Sequence, residues 1–339
     1  MAHRPWATAR VKGDAVAARR YLVTGGAGFI GSNFIRYLFE HEPDAVVTNL
    51  DALTYAGVPA TVAELDEHPN HRFVEGDVRD AGLVDELVPG HDVVVHFAAE
   101  SHVDRSISSP RDFVETNVVG TGVLLDAAYR HGVPRFLHVS TDEVYGPVVE
   151  GYAPETAPLA PSSPYAASKA AADLLVRSYH VTYGYDVVVS RCTNNYGPYQ
   201  FPEKVIPRFV TNLLAGEKIP VYGDGKHERD WLHVEDHCAA LHLLVDRGAS
   251  GEIYNVGAGR QLPNLELARA ILDVFDLGDE WIEHVSDRPG HDVRYAVDSS
   301  KIRALGWEPA HDFTARLADT IAWYREREDW WRPLRERVR

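Results

Sequence analysis

The chain has 339 residues, enough for one large domain or two lobes, because single cores stop growing near roughly 250 to 300 residues. Its 34 Lys plus Arg against 50 Asp plus Glu leave a net charge of -16, which opposes nucleic acid as a partner and requires a local cluster of cations for any anionic substrate. Two cysteines, Cys192 and Cys238, without C-x-x-C spacing argue against a disulfide framework and for a reducing cytoplasm, and no segment reaches the roughly 18 apolar residues of a membrane span.

Residues 1 to 19 hold Arg4, Arg10, Lys12 and Arg19 but no continuous apolar stretch, so they read as a loose tail rather than a secretory signal. The first strand is expected at Tyr21-Leu22-Val23, followed by Thr24-Gly25-Gly26-Ala27-Gly28-Phe29-Ile30-Gly31 and a helix in which Ile30, Phe34 and Leu38 recur at four-residue steps. Glycines at 25, 28 and 31 between a strand and a helix let backbone approach a pyrophosphate, and the helix N-terminus supplies oriented N–H groups. Asp51 closes the next strand, Ala45-Val46-Val47 onward, where a carboxylate can accept both hydroxyls of a ribose. Ala52 and Leu53 offer no cation for a ribose phosphate, which favours NAD over NADP.

Further strands are expected at Arg72-Phe73-Val74, at Val93 to Phe97, at Phe136 to Val139 and at Asp186 to Val189, with a helix carrying Leu124 and Ala128 among them. Strands alternating with helices predict an α/β fold, a Rossmann-type doubly wound parallel sheet, whose strand ends form the binding edge. Asp77-Val78 then lies where the adenine would sit, and Ala98-Ala99-Glu100-Ser101-His102 lines the cofactor. Thr141-Asp142-Glu143 falls just past the fifth strand, where adjacent carboxyls can both turn toward one ligand. A raised Asp142 pKa would supply a proton to a leaving hydroxyl while ionised Glu143 removed an acidified C–H proton. Tyr165 and Lys169 are four apart and share a helix face, so an ammonium beside a phenol would ease proton removal from a substrate hydroxyl.

After Cys192 the text turns rich in Gly, Pro and Asn, which predicts a smaller, irregular C-terminal substrate lobe. The division expected is 20–194 for the nucleotide-binding domain, with 230–258 returning to it, and 195–229 plus 259–339 for the lobe. In the lobe, a helix capped by Asn264 would run to Phe275 with Leu265, Ala268 and Leu272 on one face, and a second would align Phe313, Leu317, Ile321 and Tyr324. His233, His237 and Cys238 lack the further ligands of a zinc site and read as structural, and Cys192 reads as packing, so no metal is expected.

With the glycine loop, Thr141-Asp142-Glu143 and Tyr165/Lys169 in place, the chain resembles the dTDP-glucose 4,6-dehydratases of the extended short-chain dehydrogenase/reductase family from Arg20 to about Trp323. Further matching motifs are Ala98 to Ser106, Asn194-Asn195-Tyr196-Gly197-Pro198-Tyr199, Phe201-Pro202-Glu203-Lys204, Arg229-Asp230-Trp231-Leu232 and Asp287-Arg288-Pro289-Gly290-His291-Asp292. The resemblance implies tightly held NAD, touched by Phe29, Ile30, Asp51 to Thr54, Asp77, Val78, Ala98, Ala99, Ser101, Thr116 and Asn195. It implies a nucleotide diphosphate sugar held by His102, Thr141, Asn194, Lys204, Val205, Pro220, Val221, Tyr222, Arg229, Asn255 and Asp287 to His291. It also implies roles: Tyr165 takes the proton of the 4-hydroxyl, Glu143 that of C5, and Asp142 protonates the departing C6 hydroxyl. Family members dimerise through two helices per subunit, and the alanine-rich Ala166 to Ala172 segment suits that contact, so a homodimer is expected. The glycines, Tyr165 and Lys169 alone would serve a UDP-sugar epimerase or decarboxylase equally well, or a silent nucleotide sensor. The acid pair is what separates a dehydratase from these.

Overall fold

The computed structural model describes residues 18–287 and 291–337. Most of the tail expected at 1 to 19 lies outside them. Its last residue, Arg19, is fixed by Asp246 at 2.7 Å and Glu42 at 3.2 Å.

Short runs rich in valine and leucine, too apolar to face water on either side, form a seven-stranded parallel sheet. Its strands are β1 (Arg20–Thr24), β2 (Val46–Asp51), β3 (His71–Glu75), β4 (Val93–His96), β5 (Arg135–Thr141), β6 (Val187–Cys192) and, later in the chain, Ile253–Val256. The spatial order runs β3, β2, β1, β4, β5, β6 and then Ile253–Val256. Progress reverses between β1 and β4, so a crevice opens beyond their carboxyl ends.

Alternate side chains of each strand serve opposite layers. Tyr21, Val23, Val95 and Leu137 pack with Phe34, Ile35 and Leu38 of helix Phe29–His41 and with Leu241 and Leu244 of helix Val234–Arg247. Leu22, Val94 and Phe136 pack on the other face with Leu124, Ala128 and Val176 from helices Thr121–Arg130 and Pro164–Tyr183.

The second core is built by β7 (Asn194–Tyr196), β8 (Ile219–Tyr222), β9 (Glu228–His233) and the helices Val205–Leu214, Asn264–Val274, Phe313–Glu326 and Glu328–Glu336. Phe313, Leu317, Ile321 and Tyr324 are all buried, as their spacing predicts. Trp331 is fully buried and donates its indole N–H to the Tyr324 carbonyl at 2.7 Å, while Trp330 donates to Thr61 at 2.9 Å and ties the lobe to the segment after β2.

Two details differ from what the sequence predicts. Asn264 does not cap its helix: it is the first helical residue, Pro263 takes the cap position, and the Asn264 amide N–H donates to the His227 carbonyl instead. In the segment 230–258, residues 230–233 belong to β9 of the lobe's three-stranded sheet, and the return to the large sheet is made by Val234–Arg247 and Ile253–Val256. Ile302 and Trp307, beyond that segment, also join the large-sheet core.

Candidate active site

Gly25 has φ +76°, and a Cβ there would lie 2.6 Å from the Ala98 amide nitrogen, so the turn after β1 closes tightly on the end of β4 only with glycine. A Cβ at Gly31 would come 2.4 Å from the Gly25 carbonyl oxygen. Gly28 differs: its missing Cβ would meet only that same oxygen, at 3.3 Å. Gly28 stands at the N-cap of helix Phe29–His41 and lines a cleft of about 570 Å³. Two glycines therefore shape the loop and the third leaves room over a helix N-terminus, the arrangement that receives a pyrophosphate.

Asp51, at the end of β2, accepts from the Ala27 N–H at 2.9 Å and the Leu53 N–H at 2.8 Å, which join the glycine loop to the β2 end. Its burial pushes the carboxyl up while these two N–H groups pull it down, and it faces the cleft with Ala52 and Thr54. Leu53 does not line the cleft: it takes φ +48° to turn the chain. Asp77, Val78, Ala98, Ala99, Ser101, Thr116 and Asn195 all lie on the cleft wall with Phe29 and Ile30. Asp77 is held by Arg79 at 2.6 Å, which lowers its pKa.

The same cleft takes in Thr141, Asp142, Glu143, Tyr165, Lys169, Asn194 and Lys204. Thr141 ends β5 and its hydroxyl accepts the Glu143 N–H at 3.2 Å, which starts one turn of 3₁₀ helix, Asp142–Tyr145. Gly146 stops that turn at φ +71°, where a Cβ would meet the Ala160 carbonyl oxygen at 2.2 Å. The turn is thus defined at both ends, and both carboxyls reach the cavity.

Asp142 is 3% exposed and its Oδ2 accepts no hydrogen bond. Burial, then Glu143 and Asp230, hold its carboxyl well above the usual range, against the opposing pull of Arg229. These surroundings favour its protonated form.

Helix Pro164–Tyr183 begins at Ser163, whose hydroxyl accepts the Ala166 N–H at 3.1 Å, and presents Tyr165 and Lys169 to the cleft. Lys169 is 4% exposed and donates to the Val139 carbonyl at 2.8 Å. Burial lowers its pKa to about 8, with Asp173 acting to raise it. The expected easing of Tyr165 by the Lys169 ammonium is not the leading effect here. Burial and then Glu143 and Cys192 push the phenol well above its ordinary value, and the Thr141 hydroxyl is the chief group pulling it down.

The residues expected at the sugar nucleotide are less concentrated. Asn194 and Lys204 line the cleft, Lys204 donating to the Ser101 carbonyl at 2.9 Å. His102 lies beside Glu203 at 3.8 Å, next to the cleft wall but not on it. Val205, Pro220, Val221 and Tyr222 belong to the lobe and do not line the cleft. Arg229 is buried on β9, donates to the Asp292 carbonyl at 2.9 Å and stacks 4.4 Å over Tyr295. Asn255 is fully buried, its amide donating to the Ala153 and Asp298 carbonyls and its oxygen accepting from Tyr145, so its side chain holds the fold together. Asp287 bridges His291 at 2.7 Å and His227 at 3.3 Å, and these two imidazoles stack at 3.9 Å. Arg288, Pro289 and Gly290 lie outside the described residues.

The histidine and cysteine trio is dispersed into structural duties. His237 is fully buried with Nδ1 2.9 Å from the Asn195 side-chain oxygen, His233 accepts from the Glu235 N–H, and Cys238 is buried in the large core. Sequence reasoning did not single out Arg105, which stacks 3.9 Å over Tyr55, or buried Glu203, both on the cleft wall. Cys192, read as packing alone, also reaches the cleft, and burial pushes its thiol up to about 12.

Comparison with known proteins identifies the family. Residues 22–320 match the family model described as GDP-mannose 4,6 dehydratase. A dTDP-glucose 4,6-dehydratase from Streptomyces niveus is 54% identical over 321 residues, covering 93% of this chain and 96% of its own. The crystal structure of DesIV, a dTDP-glucose 4,6-dehydratase from Streptomyces venezuelae solved with NAD bound, superposes with a TM-score of 0.91 at 54% identity, covering 93% of this chain and 99% of its own. A UDP-glucose 4-epimerase from Thermotoga maritima shares the fold at TM-score 0.85 but only 30% identity, covering 91% of this chain and 99% of its own.

Proposed function

This chain belongs to the dTDP-glucose 4,6-dehydratase family, and from that membership we propose that it converts dTDP-glucose to dTDP-4-keto-6-deoxyglucose with NAD regenerated in each turnover. The observation that carries the reading is the Asp142–Glu143 turn, which opens into the same cleft as the glycine loop and Tyr165. An epimerase has no use for that acid pair.

The residues fit the cofactor: Gly28 leaves space over the helix N-terminus, and Asp51 sits at the ribose end, followed by Ala52 and Leu53 rather than by a cation for a phosphate. When bound, NAD supplies a hydride acceptor for the sugar's C4 and returns that hydride to C6. Tyr165 takes the proton of the 4-hydroxyl, with Thr141 as the hydroxyl that steadies its oxygen. The resulting ketone acidifies C5, whose proton Glu143 removes and which takes up a proton again when hydride has reached C6. Asp142, held protonated by its surroundings, delivers its proton to the departing C6 hydroxyl, which leaves as water. One pocket must hold all four groups, because an intermediate that moved would lose the activation its ketone provides.

Lys204 and Arg105 supply positive charge at the cleft wall in an otherwise acidic protein, beside Asn194, as a diphosphate-sugar site requires. Base selectivity for thymine rests on the relatives' chemistry.

An uncovered apolar stripe supports a homodimer. Val119, Leu174 and Val181 are 51%, 55% and 72% exposed on neighbouring helical segments. By contrast Ala166, Ala170 and Ala172, expected at the contact, are buried within the subunit. A second copy laying the same helices against this stripe is the partner we assign. Both cysteines are free and buried, which suits a reducing compartment and supports a cytoplasmic location. No described helix is long and apolar enough to cross a membrane.

The decisive test incubates the protein with dTDP-glucose in heavy water and follows the sugar by NMR. A 4-keto-6-deoxy product carrying deuterium at C5 is expected; a C4 epimer that keeps its C6 hydroxyl would overturn the assignment.

A further inference from the structure

Tyr165, Lys169 and Asp173 follow one another at four-residue steps along helix Pro164–Tyr183, so the third residue extends the catalytic face inward. Asp173 is 2% exposed and does not line the cleft. Its Oδ2 accepts from Arg191 Nε at 2.8 Å, while its Oδ1 lies 3.5 Å from His138 Nε2 and accepts no hydrogen bond. Arg191 goes on to donate to the Tyr145 hydroxyl at 2.8 Å, which donates to Asn255. A buried ion pair of this kind is weak evidence for stability, since well-packed apolar residues of the same volume do as well or better. Something else must use the charge.

We propose that Asp173 is a positioning residue for proton abstraction: its buried carboxylate, anchored by Arg191, keeps Lys169 an ammonium behind Tyr165. The inference rests on the reading of Tyr165 and Lys169 given above. Among the described residues, the groups around Lys169 leave no other candidate. On its own helix stands Asp173, on β6 Cys192, on β5 His138 and on β4 His96. Burial holds the Cys192 thiol protonated, and burial together with Lys169 holds both imidazoles neutral. Around Asp173 the facing groups are Arg191 on β6 and His138 and Ser140 on β5. Asp173 is therefore the one ionised partner among them that opposes the cost of burying the Lys169 charge.

The chain has six lysines, so NMR of isotope-labelled lysine in the cofactor-loaded enzyme can follow Lys169 individually, assigned by its loss in Lys169→Arg. In Asp173→Asn the Lys169 titration midpoint should fall by about one pH unit or more. The rate of NAD reduction, measured in single turnover in an Asp142→Asn/Glu143→Gln background, should lose its alkaline limb at correspondingly lower pH. Should Asp173→Asn fail to fold because Arg191 is left uncompensated, Asp173→Asn/Arg191→Met removes the pair together and should still show both changes. An unmoved midpoint with a uniformly lower rate would mean that Asp173 is structural only, and the proposal fails. Absence of any NAD reduction in the background enzyme, with the Lys169 midpoint lowered as expected, would instead overturn the dehydratase reading and the catalytic use of that ammonium with it.

Discussion

Asp142 and Glu143 occupy consecutive positions of one 3₁₀ turn yet differ in environment: Asp142 is buried at 3% exposure with an unspent oxygen, while Glu143 is partly accessible and is itself the leading charge that keeps Asp142 protonated. An acid and a base of the same chemical type are thereby separated, by burial first and by the neighbouring carboxylate second. The division predicts that Asp142→Asn and Glu143→Gln each slow water loss by roughly 10² to 10⁴ while leaving oxidation at C4 in place. Rapid-quench analysis of the sugar, with nicotinamide absorbance followed in parallel, checks this. Equal loss of both half-reactions would remove the proposed roles.

The raised pKa of Asp142 has a stability consequence with a definite sign. A carboxyl that holds its proton more tightly folded than unfolded contributes stability that is complete below its ordinary value of about 4 and is lost as pH rises toward the raised folded value. Asp142→Asn removes the titration. Its melting temperature should match that of the parent near pH 4 and exceed it at pH 8 by roughly 3 °C or more. Parallel melting curves across that range would refute it.

Catalytic dehydration should show the same group from the other side. Asp142 donates only while protonated, so the elimination step should slow as pH rises through the raised value, whereas oxidation at C4 should not follow that limb. Single-turnover pH profiles of the two steps provide the check; a shared alkaline limb for both would contradict it.

The central strands were legible because β4 and β6 are valine-rich runs buried on both faces, whereas the seventh strand, Ile253–Val256, carries no such run. The Tyr165/Lys169 pair and the Asp142–Glu143 turn were legible for a related reason: their spacing and their place after a strand are local properties of the chain. Asn255 was not, since a buried asparagine bonded to Tyr145 and to two carbonyls is indistinguishable in sequence from one facing a ligand. The partners of Asp173 were hidden likewise, because Arg191 and His138 come from strands 18 and 35 residues away and meet it only after the sheet forms. The Asn264 cap was misplaced by one position: the helix starts at Asn264 itself, after Pro263, and the Asn264 side-chain oxygen accepts no hydrogen bond.

The glycines of the loop should separate under substitution. Gly25→Ala places a side chain in the left-handed region and against the Ala98 backbone, and should cost about 1 to 3 kcal/mol or more in folding stability. Gly28→Ala meets only a carbonyl oxygen at 3.3 Å and should fold nearly as well as the parent. Its methyl group would occupy the space over the helix N-terminus, so NAD affinity should fall about tenfold or more. Thermal melting with and without added NAD distinguishes the two. If Gly28→Ala bound NAD as the parent does, the pyrophosphate would have to lie elsewhere.

The apolar stripe links assembly to the site, because Leu174 and Val181 stand on the helix that carries Tyr165 and Lys169. Introducing charge at both, Leu174→Glu with Val181→Glu, adds carboxylates where the subunit's own core makes no demand, so the fold should survive while the contact between copies should not. Light scattering should report a monomer at concentrations where the parent is a dimer, and turnover should fall with it, since the helix would lose the support of its counterpart. A variant that kept the parent's mass would show that this stripe is not the contact, and a parent that was itself monomeric would withdraw the dimer altogether.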